Sequence, residues 1–135
     1  MLASADPYPA LRPVETAAIG LWVLAFAGEA SADRQLARCK ADPSMRGRTC
    51  RTGWWRYSRH PNYFFEWAMW VAYGAFAIGA PFGVLALTCP VAMLYLLLRV
   101  TGIPATEAQA IRSRGDEYRR YRQTTSMFVP LPPRE

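Results

Sequence analysis

Residues Gly53–Trp70 read GWWRYSRHPNYFFEWAMW, a cluster of aromatic, cationic and titratable side chains set directly before a long apolar run. Arg56, Arg59 and His60 precede Pro61, and Asn62 and Glu66 fall at the mouth of the apolar segment. Pro61 disfavours a helical conformation at His60, so His60 belongs to the turn entering a helix that runs from about Asn62 to Gly79. At 100° per residue, Asn62, Glu66, Trp70 and Tyr73 share one face of that helix. Ala68, Ala72, Ala75 and Gly79 share the opposite one. A stripe of small residues lets another helix approach closely. The polar face is then expected to look into a cavity at the lip of a membrane.

Two further apolar segments flank this one. Val14 to about Ala30 is apolar apart from Glu15 and Glu29, and its helical pattern continues through SADRQLARCK to Lys40. About 17 residues is the lower limit for crossing the hydrocarbon, so this helix is short as a span. A third helix runs from about Phe82 to Gly102 after the tight, uncharged turn GAPFG, and Pro90 is expected to kink it. Pro104 suits the first turn of a further helix reaching about Gln123. On it Glu107, Ile111, Arg114, Tyr118 and Tyr121 recur at steps of four and three and share a face that can cap a site. The expected fold is therefore all-α: a multi-pass membrane helical bundle of three apolar helices plus a C-terminal amphipathic cytoplasmic helix. Residues 1–13 read as an extended lead-in, 14–135 as one domain, and TTSMFVPLPPRE as an extended Pro-rich tail.

The formal charge is +6. A nucleic-acid binder has no need of uninterrupted apolar segments, so that class is set aside. The cations instead fix an orientation. Arg34, Arg38, Lys40, Arg46, Arg48, Arg51, Arg56 and Arg59 precede the second apolar helix, and Arg112, Arg114, Arg119, Arg120 and Arg122 follow the third. Both groups belong on the cytoplasmic side of a cell membrane. Two spans joined at GAPFG require those flanks to lie together, so topology and charge agree. Cys39, Cys50 and Cys89 show no CxxC or paired-His spacing, which gives neither a zinc site nor a disulfide framework. Placed in a reducing compartment, they read as inert thiols, with Cys89 inside an apolar run.

Glu66 and Arg99 are ionisable residues within or at the end of apolar helices, where a charge is costly unless it serves a site or meets a partner. A Glu66–Arg99 ion pair is the plain structural alternative. Glu29, Asp33 and Lys40 share a side of the first helix, as a solvated face or as groups aimed at a ligand. His60 is the sole histidine. Trp54, Trp55, Tyr57 and Tyr63 fit an interfacial aromatic belt, and the connector arginines fit headgroup anchors. The sequence contains no GxGxxG, P-loop or serine-triad signature.

GWWRYSRHPNYFFEW, the later LLLRVTGIP..E and EYRRYRQTTSMFVPLPP, and the E..AD.QLA..K pattern at Glu29, Asp33 and Lys40 resemble the C-terminal half of the steroid 5-alpha-reductase family, especially its bacterial members. Related motifs occur in sterol reductases and isoprenylcysteine carboxyl methyltransferases. The resemblance covers about Gly20 to Pro133. It implies a membrane oxidoreductase that uses NADPH to reduce a C=C bond conjugated to a carbonyl in a steroid- or lipid-like substrate. Carried across by motif, Asp33, Lys40, Arg59, His60, Asn62, Tyr63, Glu66, Arg99, Glu107, Tyr118 and Tyr121 are the cofactor-lining positions, with Glu66 also the catalytic candidate. Asn62 and Glu66 would orient the nicotinamide carboxamide. Phe65 stands where many relatives have Gly. The family's N-terminal spans, which supply much of the substrate pocket, are not in this sequence, so the expected partners are the bilayer, a lipid-like substrate and a second subunit. The alternatives are a methyltransferase using S-adenosylmethionine and a non-catalytic membrane fragment that assembles with a partner.

Overall fold

The computed structural model describes residues 10–134. Most of the expected lead-in lies outside them. The chain forms α1 (Pro13–Ala41), α2 (Pro61–Ala77), α3 (Thr88–Tyr95), α4 (Gly102–Arg114) and α5 (Asp116–Thr124). Short 3-10 turns at Pro43–Met45, Gly53–Arg56 and Gly83–Leu87 and a π turn at Leu96–Val100 join them. The architecture is all-helical. A single bridge between Ser58 and Ser126 is the only ladder contact among the described residues.

Helix α1 starts at Pro13, whose missing N–H costs nothing in a first turn. The Arg12 N–H donates to Glu15 Oε2 at 2.8 Å, and its guanidinium pairs with the same carboxylate. The helix ends where Asp42 turns extended, and the Asp42 carboxylate accepts the Ser44 N–H at 2.9 Å to start the next short turn. At 29 residues α1 is about 44 Å long. It packs along α2 through small side chains: Ala18, Ala25, Gly28 and Ala32 are buried on one helix, and Ala68 and Ala72 on the other, while Gly74 faces Ala86 and Leu87. A Cβ on Gly28 would overlap the Phe65 ring, so the bulky residue at position 65 sits in the notch that Gly28 leaves.

Because α1 covers the small-residue face of α2, the Asn62–Tyr73 face does not look into a cavity along its length. Trp70 and Tyr73 are exposed, with rings edge to face at 5.6 Å. Of the expected stripe, Ala68 and Ala72 are buried, while Gly79 lies beyond the end of α2 and is exposed.

Pro90 does not kink the third apolar helix. The 3-10 turn at Gly83–Leu87 comes first, so Pro90 falls in the opening turn of α3, where the lost donor has no partner to miss. Its carbonyl accepts the Trp67 indole N–H at 3.0 Å. The irregularity lies instead at the π turn, whose extra residue rotates the helix face before α4. The expected single amphipathic helix over 104–123 is also divided. Gly115, at φ 56° and ψ −125°, takes a backbone shape that a Cβ would strain, and the chain turns there from α4 into α5.

Two helical segments are long and apolar enough to cross a membrane: Pro13–Ala41 and the continuous run Gly83–Arg114. Only 17% of each apolar window is buried, whereas the core helix of a soluble protein is mostly buried. This is compatible with a membrane protein. Helix α2, with 17 residues, is about 26 Å long, at the lower limit for crossing a hydrocarbon core of about 30 Å.

The tail runs back beside residues 57–59. The Arg59 N–H donates to the Ser126 carbonyl at 2.8 Å, the Ser58 hydroxyl to the Phe128 carbonyl at 2.7 Å, and the Leu131 N–H to the Tyr57 carbonyl at 3.0 Å. Phe128 is buried with Leu97 and Ile103, against Phe64 and Trp67. The strap holds the Arg59–His60 segment in place against the helices.

Candidate functional site

The end of α1, the connector, the first turn of α2, and helices α4 and α5 enclose a cavity of about 300 Å³. Lys40 and Leu36 come from α1, and Thr49, Cys50, Trp55, Arg59 and His60 from the connector. Asn62 and Tyr63 come from α2, Thr106 and Arg114 from α4, and Tyr118 and Tyr121 from α5. One site is thus assembled from segments as far as 85 positions apart (121 − 36).

Its base is the Glu107 carboxylate, which is 8% exposed. Oε1 pairs with the Arg59 guanidinium, meets His60 Nε2 at 3.2 Å and accepts the Tyr118 hydroxyl at 3.4 Å, while Oε2 faces Arg122 Nε at 3.4 Å. Arg59 also donates through Nε to the Thr125 carbonyl at 3.2 Å. Buried charge is tolerable only with this degree of partnering. Glu107 therefore anchors the cationic wall from behind instead of lining the cavity.

His60 caps α2 in a non-helical backbone conformation, φ −138° and ψ 59°, away from the helical region that Pro61 disfavours, and its ring stacks on Tyr63 at 5.6 Å. The Tyr63 hydroxyl lies 3.2 Å from that of Thr106, tying α2 to α4. Tyr121 donates its phenol to the carbonyls of Trp55 and Ser58. Trp54 is exposed and Trp55 buried. Their indoles bond to Ser31 Oγ at 2.8 Å and to the Ala32 carbonyl at 2.9 Å, pinning the connector to α1.

Arg114 is the unbalanced member. Its guanidinium lies 4.9 Å over the Tyr118 ring, yet its buried Nε–H has no hydrogen-bond partner. An unmet buried donor costs about 1–3 kcal/mol. Lys40, on the same cavity, has no ion-pair partner among the described residues. Neither Lys40 nor Arg114 is in a close ion pair among the described residues, although Arg114 lies within electrostatic reach of Glu117.

Burial, reinforced by the Glu107 charge, pushes the Tyr118 phenol up to about 12. Burial, then Tyr118, raises Tyr121 as well. Both phenols stay protonated at neutral pH. Their pKa values are higher folded than unfolded, so their contribution to stability is complete below about pH 10 and is lost as pH climbs toward 12. In an alkaline absorbance titration, these two tyrosines should ionise last, together with the loss of helical circular dichroism. Ionisation of every tyrosine while the fold persists would contradict that.

Of the residues singled out from sequence, Lys40, Arg59, His60, Asn62, Tyr63, Tyr118 and Tyr121 meet on this cavity, with Glu107 beneath it. Asp33, Glu66 and Arg99 do not. Asp33 is exposed about two turns from Lys40 along α1. Glu66, one turn deeper than Asn62, is half-buried, within electrostatic reach of Glu29. Arg99 is exposed in the π turn, and neither it nor Glu66 takes part in an ion pair among the described residues. Asn62 lines the cavity while Glu66, one turn on, does not, and the plain Glu66–Arg99 pair is absent among the described residues.

Leu36, Thr49, Cys50, Trp55 and Thr106 were not among the expected lining residues. Leu36 precedes Lys40 by one turn, a usable signal, and Arg114 already lay on the shared face with Tyr118. Thr49 carried no such signal: its N–H and hydroxyl bind the Glu117 carboxylate at 2.9 and 2.6 Å, across the whole fold. The cysteine reading needs correction too. Cys39 and Cys50 are joined in a disulfide, their Cα atoms 5.8 Å apart, because the connector folds back on the last turn of α1. Cys89 is free but exposed.

The family model of DUF1295, described as proteins of unknown function, matches residues 1–125. The chain belongs to that family. The match takes in α1, the connector, α2 and every residue that lines the cavity. No curated protein and no solved structure matches the chain.

Proposed function

We propose that this DUF1295 chain is the cofactor-binding half of an integral membrane NADPH-dependent reductase that acts on a C=C bond conjugated to a carbonyl in a steroid- or lipid-like substrate. The observation that carries this reading is the meeting of Arg114 and Lys40 on one aromatic-walled cavity. Two cations free of close ion pairs among the described residues suit phosphate oxygens, through charge-assisted hydrogen bonds. Trp55, Tyr63 and Tyr118 contribute aromatic surface to the wall. About 300 Å³ is at the low end for ligand sites, enough for one end of a dinucleotide, with the remainder lying outside.

The bound cofactor would supply the hydride. The chain's own residues bind and orient. Asn62 Oδ1 accepts the Tyr63 N–H at 3.0 Å, which leaves the amide NH2 to donate to a ligand carbonyl. Glu107 fixes Arg59 and His60 from behind. Catalysis is not assigned to Glu66, which stands outside the cavity. The arginine-bearing connector and C-terminal helices belong on the cytoplasmic side, where the cofactor is available.

NADPH added to the purified protein in detergent should quench its tryptophan fluorescence. Arg114→Ala should weaken the apparent affinity by about 10-fold or more, the value of a hydrogen bond to a charged group, and adding Asn62→Ala should weaken it further. A folded sample that gives no response refutes the reading.

A second reading, a methyltransferase using S-adenosylmethionine, has no need of the Asn62–Glu66 couple that favours a nicotinamide, and Glu66 does not line the cavity. Against it, a sulfonium cation is poorly matched to a wall already bearing Lys40 and Arg114. Calorimetry with the two cofactors side by side distinguishes them. If neither binds while a second polypeptide co-purifies, the chain is an assembling membrane fragment.

A further inference from the structure

The Cys39–Cys50 disulfide lies where the cavity opens. Cys50 is buried in the cavity wall, and Cys39 is half-buried in the wall of an adjoining recess of about 370 Å³. Lys40 and Arg114 line both spaces, and Arg46 and Arg48 line the recess. The residues between the two cysteines thus carry the outer cations of one continuous basic surface. Beyond the disulfide, this loop is held across the fold at Thr49, by its two hydrogen bonds to Glu117. Pro43–Arg48 has only the local Asp42–Ser44 bonds and short backbone turns.

We propose that the Cys39–Cys50 bond is a redox latch that sets the anion affinity of the cavity, tight when the bond is closed and weak when it is reduced. The inference rests on the reading of the cavity as a phosphate site. The arginine distribution places the connector on the side of the membrane where thiols are kept reduced, and disulfides there are transient and sensing, seldom structural.

The chemistry is thiol–disulfide exchange with a dithiol reductant. Its thiolate attacks Cys39 Sγ, the more accessible sulfur, and Cys50 leaves as a thiolate and takes a proton. The reductant's second thiol then displaces Cys39, which leaves two thiols on this chain and one disulfide in the reductant. The Thr52 hydroxyl lies 3.7 Å from Cys39 Sγ and 3.5 Å from Cys50 Sγ, placed to donate to whichever sulfur carries the charge. Opening the loop restores the freedom of the residues between the cysteines and loosens Arg46 and Arg48 from the lip.

The test compares oxidised and dithiothreitol-reduced full chain in detergent, alongside Cys39→Ser. Inorganic pyrophosphate and NADPH serve as separate calorimetric probes, with hydrogen exchange followed over residues 42–52. The expected result is affinity about 10-fold weaker on reduction, in the range typical of coupled sites, faster exchange in the connector, and Cys39→Ser behaving as the reduced form. By reciprocity, a saturating probe should make the bond harder to reduce by the same factor, about 30 mV for a two-electron couple. Equal affinities in the two states overturn the inference. If NADPH fails in both states while pyrophosphate still discriminates between them, the latch stands and the reductase reading falls. If neither probe binds in either state, both fall.

Discussion

Glu107→Ala is expected to destabilise the protein by about 3–5 kcal/mol in detergent denaturation, the cost of leaving buried charges without their counter-ion. Arg59 and His60 are 9% and 2% exposed, and both direct donors at Glu107 Oε1. With the carboxylate gone, the guanidinium keeps only the Thr125 carbonyl, and the imidazole keeps only its stacking on Tyr63. Glu107→Gln, which preserves shape and one acceptor, should cost less. Asp116→Ala provides the contrast, because its pair with Arg119 is exposed on both sides and exposed pairs contribute about 1 kcal/mol or less. A Glu107→Ala protein within about 1 kcal/mol of the parent would show that the carboxylate is not the anchor of the cationic wall.

Phe128→Ala should cost a comparable amount, about 3–5 kcal/mol, as expected for removal of a buried aromatic side chain. Its ring is 7% exposed and meets Phe64 and Trp67 edge to face at 5.5 and 5.8 Å. The tail has few other apolar holds, so its backbone bonds to Ser58 and Arg59 depend on this ring staying seated. Limited proteolysis should therefore cut the Phe128→Ala protein within residues 125–134 well before the parent. Phe128→Leu, closer in volume, should lose about 1.5 kcal/mol or less. An alanine variant with an unchanged cleavage pattern would mean that hydrogen bonds alone retain the strap. Because Arg59 N–H pairs with the Ser126 carbonyl, a detached tail should also weaken NADPH binding.

Much of the helical layout is legible in residue order. Pro13, Pro61 and Pro104 each sit in the first turn of a helix, and the small residues on α1 and α2 mark the faces that pack. Pro90 shows the limit of such reading. Whether a proline breaks a helix or opens one depends on where the preceding 3-10 turn ends, and that follows from α3 docking its Pro90 carbonyl under Trp67. Gly115 looked like one more residue of an amphipathic helix, yet its positive φ folds α5 back so that Tyr118 and Tyr121 reach the connector.

The sequence by itself determined an all-helical chain, the positions of its apolar segments, and the local group Arg59, His60, Asn62 and Tyr63, because those features follow from spacing within a few turns. The tertiary structure alone decided which acid serves that group. Glu66 is the near neighbour along the helix, but Glu107, 47 residues after His60, takes the partnership because the π turn and the folded-back tail bring α4 beneath it. It also decided that Cys39 and Cys50 pair and that Arg114 carries an unmet donor. Charge compensation and sulfur contact depend on distance in space, which local periodicity does not encode.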